Sequence, residues 1–164
     1  MREIGNTMVL ISLLLLSACS VNYTVAPQNP VAGFPYRHSD FDYKVAWKTT
    51  SANNGVIIDG ILKNVRYDAI DSVGLTIYLL GKNGKVRVQA AANPFPQQSQ
   101  MGDLVPFSAE LKNVTLAPGD TLKFAINYMG GDGKDGWGNW SNTFAVDAMT
   151  GAALHKDNQT PEEW

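Results

Sequence analysis

The chain has 164 residues, enough for one domain of ordinary size. Hydrophobic residues make up 45 % and charged residues 17 %, which fits a globular domain and excludes a disordered chain. The formal net charge of -2 offers no basic surplus for nucleic acid. The 15 glycines and 8 prolines favour an all-β chain with many turns, and the single cysteine excludes an internal disulfide.

The first element is an apolar run over residues 8–16, interrupted only by Ser12. A membrane-spanning helix needs about 20 apolar residues, so this run is too short to cross a bilayer. Its length fits the hydrophobic region of a secretory signal peptide, and Arg2 places a positive charge before it. The alternative is a buried N-terminal strand or helix.

A short motif, Leu16-Ser17-Ala18-Cys19, follows the apolar run and contains the only cysteine. It resembles the lipobox of bacterial lipoproteins, in which a large aliphatic residue and two small residues precede an essential cysteine. The resemblance implies that a signal peptidase recognises Leu16, Ser17 and Ala18 and removes residues 1–18. It also implies a covalent diacylglycerol and N-acyl lipid, such as palmitate, on Cys19.

The resemblance also indicates where the protein is located. Ser20, rather than an aspartate, follows the cysteine, which resembles lipoproteins sorted to the outer membrane. We therefore expect a lipid-anchored protein of the bacterial cell envelope that faces the periplasm or the cell surface. Residues 20–39 contain three prolines and no regular period, so residues 19–39 are predicted to be the lipidated cysteine and an extended linker. The alternative is an edge strand at residues 21–25.

Residues 40–150 show the period of two that is typical of half-buried strands. In the first strand, Phe41, Tyr43, Val45 and Trp47 are predicted to share one face. Short turn sequences separate the strands, and a polar tail over 151–164 follows them. The pattern predicts a seven-stranded antiparallel two-sheet β-sandwich of immunoglobulin-like type. The strand segments are 41–49, 55–67, 73–81, 86–92, 105–114, 121–129 and 142–149.

Three segments, "GVIIDGILKNV", "LTIYLLGKNGKV" and "PFSAELKNVTLAPGDTLKF", resemble the small sandwiches called FxLYD or LEA14-like domains, which recur on bacterial surface proteins. The resemblance covers residues 45–128, but Leu79-Leu80-Gly81 stands where that family places Leu-Tyr-Asp. The segment "LAPGDTLKF" also resembles a turn of fibronectin type III domains, with Leu122 in place of their tyrosine. Both resemblances imply a fold and no particular activity.

No enzymatic motif is found in the sequence. His38 and His155 have no cysteine, histidine or carboxylate at a ligand spacing, and the lipid would consume Cys19. The sequence also lacks the serine hydrolase, zinc protease and phosphate-loop motifs. We therefore predict that the protein is not an enzyme and needs no cofactor.

The glycine-rich segment before the last strand contains oxygen donors for a calcium ion, namely Asp132, Asp135 and Asn139. The segment departs from the calcium-loop template, because Lys134 and Gly136 stand where oxygen donors belong. A long hairpin loop without metal is the alternative, and we predict no metal site.

Three aromatic residues in loops, Phe95, Trp137 and Trp140, are candidates for an interaction site. They either pack on the end of the sandwich or stand exposed as an apolar patch, if the two loops share one end. An exposed patch predicts a protein partner, and hence an accessory or assembly subunit of an envelope complex. The alternative function is a ligand-binding module that holds a glycan or small molecule on the aromatic rings.

Overall fold

The computed structural model describes residues 29–131, 134 and 136–154, and over these residues it contains nine β-strands and no helix. The alternating apolar residues place one face of each long strand in the core, as the sequence predicts. The strands are β1 (Tyr36–Ser39), β2 (Tyr43–Ala52), β3 (Gly55–Asn64), β4 (Ala69–Leu80), β5 (Val86–Ala92), β6 (Ser99–Gln100), β7 (Leu104–Lys112), β8 (Thr121–Gly131) and β9 (Trp137–Asp147).

The strands form two antiparallel sheets. The first has the order β1-β2-β3-β7 and the second β5-β4-β8-β9, with β6 beside β4. Apart from the short strands β1 and β6, the first sheet contains β2, β3 and β7, and the second contains β4, β5, β8 and β9. Immunoglobulin-like sandwiches divide their strands between two sheets in this way. The predicted antiparallel two-sheet immunoglobulin-like sandwich is confirmed, and each of the seven predicted strands is present.

The core lies between the sheets and is rich in aromatic rings. Trp47 is fully buried, and its ring centroid lies 5.0 Å from that of Phe124 and 5.9 Å from that of Phe144. Gly60 faces Phe107 on the neighbouring strand, where an added Cβ would lie 2.3 Å from the Phe107 ring. The close approach of backbone and ring at this point therefore requires a glycine.

The predicted linker extends too far along the chain. Residues 36–39 form β1 and pair with residues 44–47 of β2. The reason is aromatic packing at the open side of the sandwich, because the His38 ring stacks on Phe144 at 3.8 Å and the Tyr36 ring lies 5.7 Å from Trp47. The structure thus has an edge strand where the sequence predicted an extended tether.

Further boundaries differ from the prediction. β4 begins at Ala69 and not at residue 73, and β9 begins at Trp137 and not at residue 142, so Trp137 and Trp140 lie on a strand and not in a loop. β6 lies within the predicted loop between β5 and β7, and residue 153, at the start of the predicted tail, forms a bridge to Val146. The signal peptide, the Leu16–Cys19 motif and residues 19–28 of the linker lie outside the described residues. No helix in the described part of the chain is long and apolar enough to span a membrane.

Candidate functional site

Asp42 lies in the short loop between β1 and β2, and its carboxylate is almost fully buried. One oxygen accepts a hydrogen bond from Arg66 Nη1 at 3.0 Å. The other oxygen accepts a hydrogen bond from the hydroxyl of Tyr128 on β8. The carboxylate therefore connects a loop of the first sheet to a strand of the second.

The buried side chain of Asn64 at the end of β3 fixes the position of Arg66. Asn64 Oδ1 accepts hydrogen bonds from the backbone N–H groups of Arg66 and Tyr67, both at 3.1 Å. Its Nδ2 donates to the Tyr67 carbonyl at 2.7 Å. This arrangement is an asparagine-stabilised turn, and it holds residues 65–67 in one conformation.

Three aromatic rings surround the Arg66 guanidinium. Its central carbon lies 4.1 Å from the Phe41 ring centroid, 4.8 Å from that of Tyr67 and 5.5 Å from that of Trp140. These distances are within the range of cation–π attraction. Phe41 is 70 % exposed and Trp140 is 43 % exposed. We name these four residues, Phe41, Arg66, Tyr67 and Trp140, the Arg66 surface.

Arg66, Tyr43 and Tyr128 keep their protons at neutral pH. The hydrogen bond to Asp42 raises the pKa of Arg66, which therefore stays charged. Burial, followed by the hydrogen bond to Asp42, raises the pKa of Tyr128 above its ordinary value of 10.0. Burial, followed by the charge of Asp42, does the same for Tyr43. The site thus offers a constant cation framed by aromatic rings, which suits recognition rather than proton transfer.

The structure separates the three aromatic residues that the sequence grouped together. Trp140 is opposite Tyr128 in the β8–β9 register and joins the Arg66 surface. Trp137 is opposite Gly131, so strand alternation places it on the other face of the hairpin. Phe95 follows β5 at the opposite edge of this sheet, where its N–H donates to the Pro106 carbonyl. No ring contact among the described residues joins Phe95 to either tryptophan.

All three candidate aromatic side chains are exposed, with Phe95 at 78 % and Trp137 at 56 %. The structure nevertheless brings only Trp140 together with other aromatic residues of a common surface. Its companions are Phe41 and Tyr67 instead of Phe95 and Trp137.

Two of the three candidate calcium ligands, Asp132 and Asp135, lie outside the described residues. Asn139 lies on β9 opposite Met129. Among the residues that the structure describes, no group of three or more histidine, cysteine, aspartate or glutamate side chains is arranged to hold a metal ion.

Sequence reasoning missed most of the Arg66 surface and placed Phe41 on the buried face of the first strand. That placement was wrong, because β2 begins at Tyr43 and leaves Phe41 in the preceding loop. Asp42 and Tyr128 lie 86 positions apart, so no local pattern connects them.

No family model matches the chain, and no curated protein does. Among solved structures, the GAE domain of GGA2p from Saccharomyces cerevisiae is 10 % identical, with a TM-score of 0.45, and the match covers 67 % of this chain and 96 % of that one. The yeast GGA1 GAE domain is 15 % identical, with a TM-score of 0.44 and coverages of 67 % and 97 %. A calcium-binding mutant of Bacteroides uniformis beta-glucuronidase 2 is 13 % identical, with a TM-score of 0.38, over 63 % of this chain and 13 % of that one.

Proposed function

We propose that this chain is a lipid-anchored, non-enzymatic protein of the bacterial cell envelope that acts by protein–protein interaction, as an accessory or assembly subunit. The observation that carries the proposal is the Arg66 surface, an exposed arginine framed by Phe41, Tyr67 and Trp140. Arginine and large aromatic residues are the types enriched at the energetic centres of protein interfaces.

The surface is also held in place before any partner arrives. Asp42 and the Asn64 turn fix Arg66, and only one guanidinium nitrogen is bonded to Asp42. The other N–H groups remain able to donate to backbone carbonyls or carboxylates of a partner. Because Asp42 and the turn already hold Arg66, binding costs little conformational entropy at this side chain.

The membrane anchor is proposed from the sequence motif at Leu16–Cys19. Two or three acyl chains on Cys19 would hold the domain on a membrane durably, whereas one chain binds only marginally. Ser20 favours the outer membrane. Replacing Cys19 with serine is expected to release the protein from the membrane fraction of cells, and a variant that stays membrane-bound would contradict the anchor.

The partner is tested by crosslinking in intact cells, with the tagged full chain. We expect a reproducible crosslinked protein from the wild type, and at least about tenfold less of it from Phe41→Ser and Arg66→Ala. Phe95→Ser is the matched control, because Phe95 is equally exposed but lies away from the surface. Equal recovery from all four proteins would overturn the proposal.

The alternative is a module that binds a glycan or a small molecule. The half-exposed Trp140 ring beside Arg66 favours it, since a flat aromatic face can stack on a sugar ring. Titrating the protein with cell-wall sugars while recording tryptophan fluorescence separates the two functions. A saturating change that Trp140→Leu abolishes would support the glycan, and a flat response would leave the protein partner.

A further inference from the structure

The free edge of β9 offers unpaired backbone groups. Among the strands of the described structure, only β8 pairs with β9, which forms the outer edge of its sheet and is covered at its end by the bridge from Val146 to residue 153. The Asp147 N–H donates to the Ala152 carbonyl at 2.8 Å, and the Ala145 carbonyl accepts from the Leu154 N–H at 3.1 Å. The backbone N–H and C=O groups of Asp147 and Ala145 therefore face away from β8.

Along an antiparallel strand, the backbone N–H and C=O groups of successive residues point alternately to the two sides of the strand. The β8–β9 register has no interruption, so this alternation continues along all of β9. The N–H and C=O groups of the preceding odd-numbered residues consequently face the same free edge. No backbone hydrogen bond within the described residues uses these groups. The residues are Trp137, Asn139, Ser141 and Thr143.

The other edge strands of the sandwich carry the features that discourage strand pairing. β1 has four residues, β5 has seven residues with Arg87 among them, and β7 contains Pro106 as well as Glu110 and Lys112. β9 has eleven residues without proline, lysine, arginine or glutamate, and its only charged residue is Asp147 at its end. A long uncharged edge is the kind that binds a further strand.

We infer that β9 pairs antiparallel with β9 of a second copy of this chain. The free edge extends from Trp137 to Thr143, and its midpoint is Trp140. A two-fold axis at this midpoint places Trp137 opposite Thr143 of the second copy, and it bonds every free backbone group of the segment. A single continuous sheet then extends through both copies.

Trp140 explains why this register fits a second copy better than an unrelated strand. Its backbone bonds face β8, so in this register the two Trp140 residues form a non-hydrogen-bonded pair, with Cα atoms about 4.5 Å apart. Aromatic side chains in such pairs stabilise antiparallel strands. The segment itself carries no charged side chain.

This inference goes beyond the proposed function, because it depends on the backbone of β9 and on Trp140, and not on Phe41 or Arg66. The first test measures the mass of the full chain with Cys19→Ser, in mild detergent, by light scattering. We expect a dimer at micromolar concentration. A monomer would overturn the inference. A dimer that dissociates in the Phe41→Ser variant but persists in the Ser141→Pro variant would overturn it as well.

Proline substitution tests which edge is used. Ser141→Pro removes an N–H from the free edge and leaves the β8 hydrogen bonds intact, so we expect a folded monomer. Ser108→Pro on the edge strand β7 is the matched control. The Pro106 carbonyl accepts a hydrogen bond from Phe95, so the backbone groups of the even-numbered residues of β7 face away from β3. The proline at position 108 therefore also removes an N–H from a free edge and leaves the hydrogen bonds to β3 intact. The control should remain a dimer.

Cysteine pairs test the register and do not depend on the proline variants. In the Cys19→Ser background, Asn139→Cys and Ser141→Cys mixed together should form a disulfide between copies, since these positions face each other about 5.5 Å apart. Neither variant alone should form this disulfide. In the proposed register, residue 139 of one copy is two positions away from residue 139 of the other, and the same holds for residue 141, so the Cα atoms are more than about 7 Å apart. Crosslinking of each variant with itself, or no crosslinking in the mixture, would overturn the register.

Discussion

The Tyr128 hydroxyl donates a hydrogen bond to the Asp42 carboxylate across the gap between the two sheets. Asp42 belongs to the loop before β2, and Tyr128 lies near the end of β8. The same carboxylate accepts from Arg66, so one buried group both joins the sheets and orients the exposed cation. Stability and recognition at this end of the sandwich therefore share one side chain.

Asp42→Ala is expected to lower the free energy of unfolding by about 1–3 kcal/mol, because it leaves the buried Tyr128 hydroxyl without its acceptor. Tyr128→Phe removes the hydroxyl itself and should cost less, about 1 kcal/mol. Urea unfolding followed by tryptophan fluorescence measures both. Asp68→Ala, at an exposed position between β3 and β4, should change nothing measurable. Equal stabilities for the Asp42 and Asp68 variants would contradict the bridging role.

Alkaline pH should destabilise the domain through Tyr43 and Tyr128. Both have a folded-state pKa above the ordinary value of 10.0. Above pH 10 the unfolded chain loses these protons while the folded chain keeps them, so unfolding becomes more favourable as pH rises. Each tyrosine then removes about 1.4 kcal/mol per pH unit, and the stabilisation is complete below pH 10.

The check is urea unfolding between pH 9 and 11.5, together with phenolate absorbance of the folded protein. Tyr128→Phe should reduce the loss of stability above pH 10, since one of the two groups is gone. Ionisation of both tyrosines in the folded protein at pH 10 would contradict the raised pKa values.

Gly60→Ala should destabilise the core by about 1–3 kcal/mol. The new Cβ would lie 2.3 Å from the Phe107 ring and 2.6 Å from the Ala46 carbonyl oxygen, and the backbone contact cannot be relieved by a side-chain rotation. Gly33→Ala is the matched control, because its Cβ would meet no atom within 4 Å. Melting temperatures of the two variants give the comparison, and a Gly60→Ala protein as stable as the control would refute the close packing.

Asp120→Ala should loosen the turn between β7 and β8. The buried carboxylate accepts from Arg87 at 2.5 Å and from the Ala117 N–H at 2.9 Å, so its loss should cost about 1–3 kcal/mol. Glu110→Ala breaks an exposed ion pair with Lys112 and should have almost no effect. Urea unfolding of both variants measures the difference, and similar midpoints would show that Asp120 does not hold the turn.

The sequence predicted the long strands well because alternation is a local signal. In β8, for instance, Leu122, Phe124, Ile126 and Tyr128 are all buried, as their spacing indicates. β1 was missed because four residues are too few to show a period, and it forms through contacts with Trp47 and Phe144. Of these two, Phe144 lies in a distant part of the chain, on β9.

The candidate site was predictable only in part, for the same reason. Trp140 is conspicuous among glycines and polar residues, and it does belong to an exposed aromatic surface. Phe41 and Arg66 carry no such signal, since each stands in an ordinary turn. Their proximity arises from the loop before β2 and the turn after β3, which meet only when the sheet has formed.

The pairing of β1 with β2 has a mechanical consequence. The hydrogen bonds between β1 and β2 lie across the strand direction, so they oppose a pull that is directed along β1. The pairs from Tyr36 to Ser39 therefore carry the load together in shear instead of opening one by one. The Tyr36 hydroxyl adds a bond to the Met149 carbonyl at 3.0 Å. A domain held by its N-terminal segment can thus resist tension at β1.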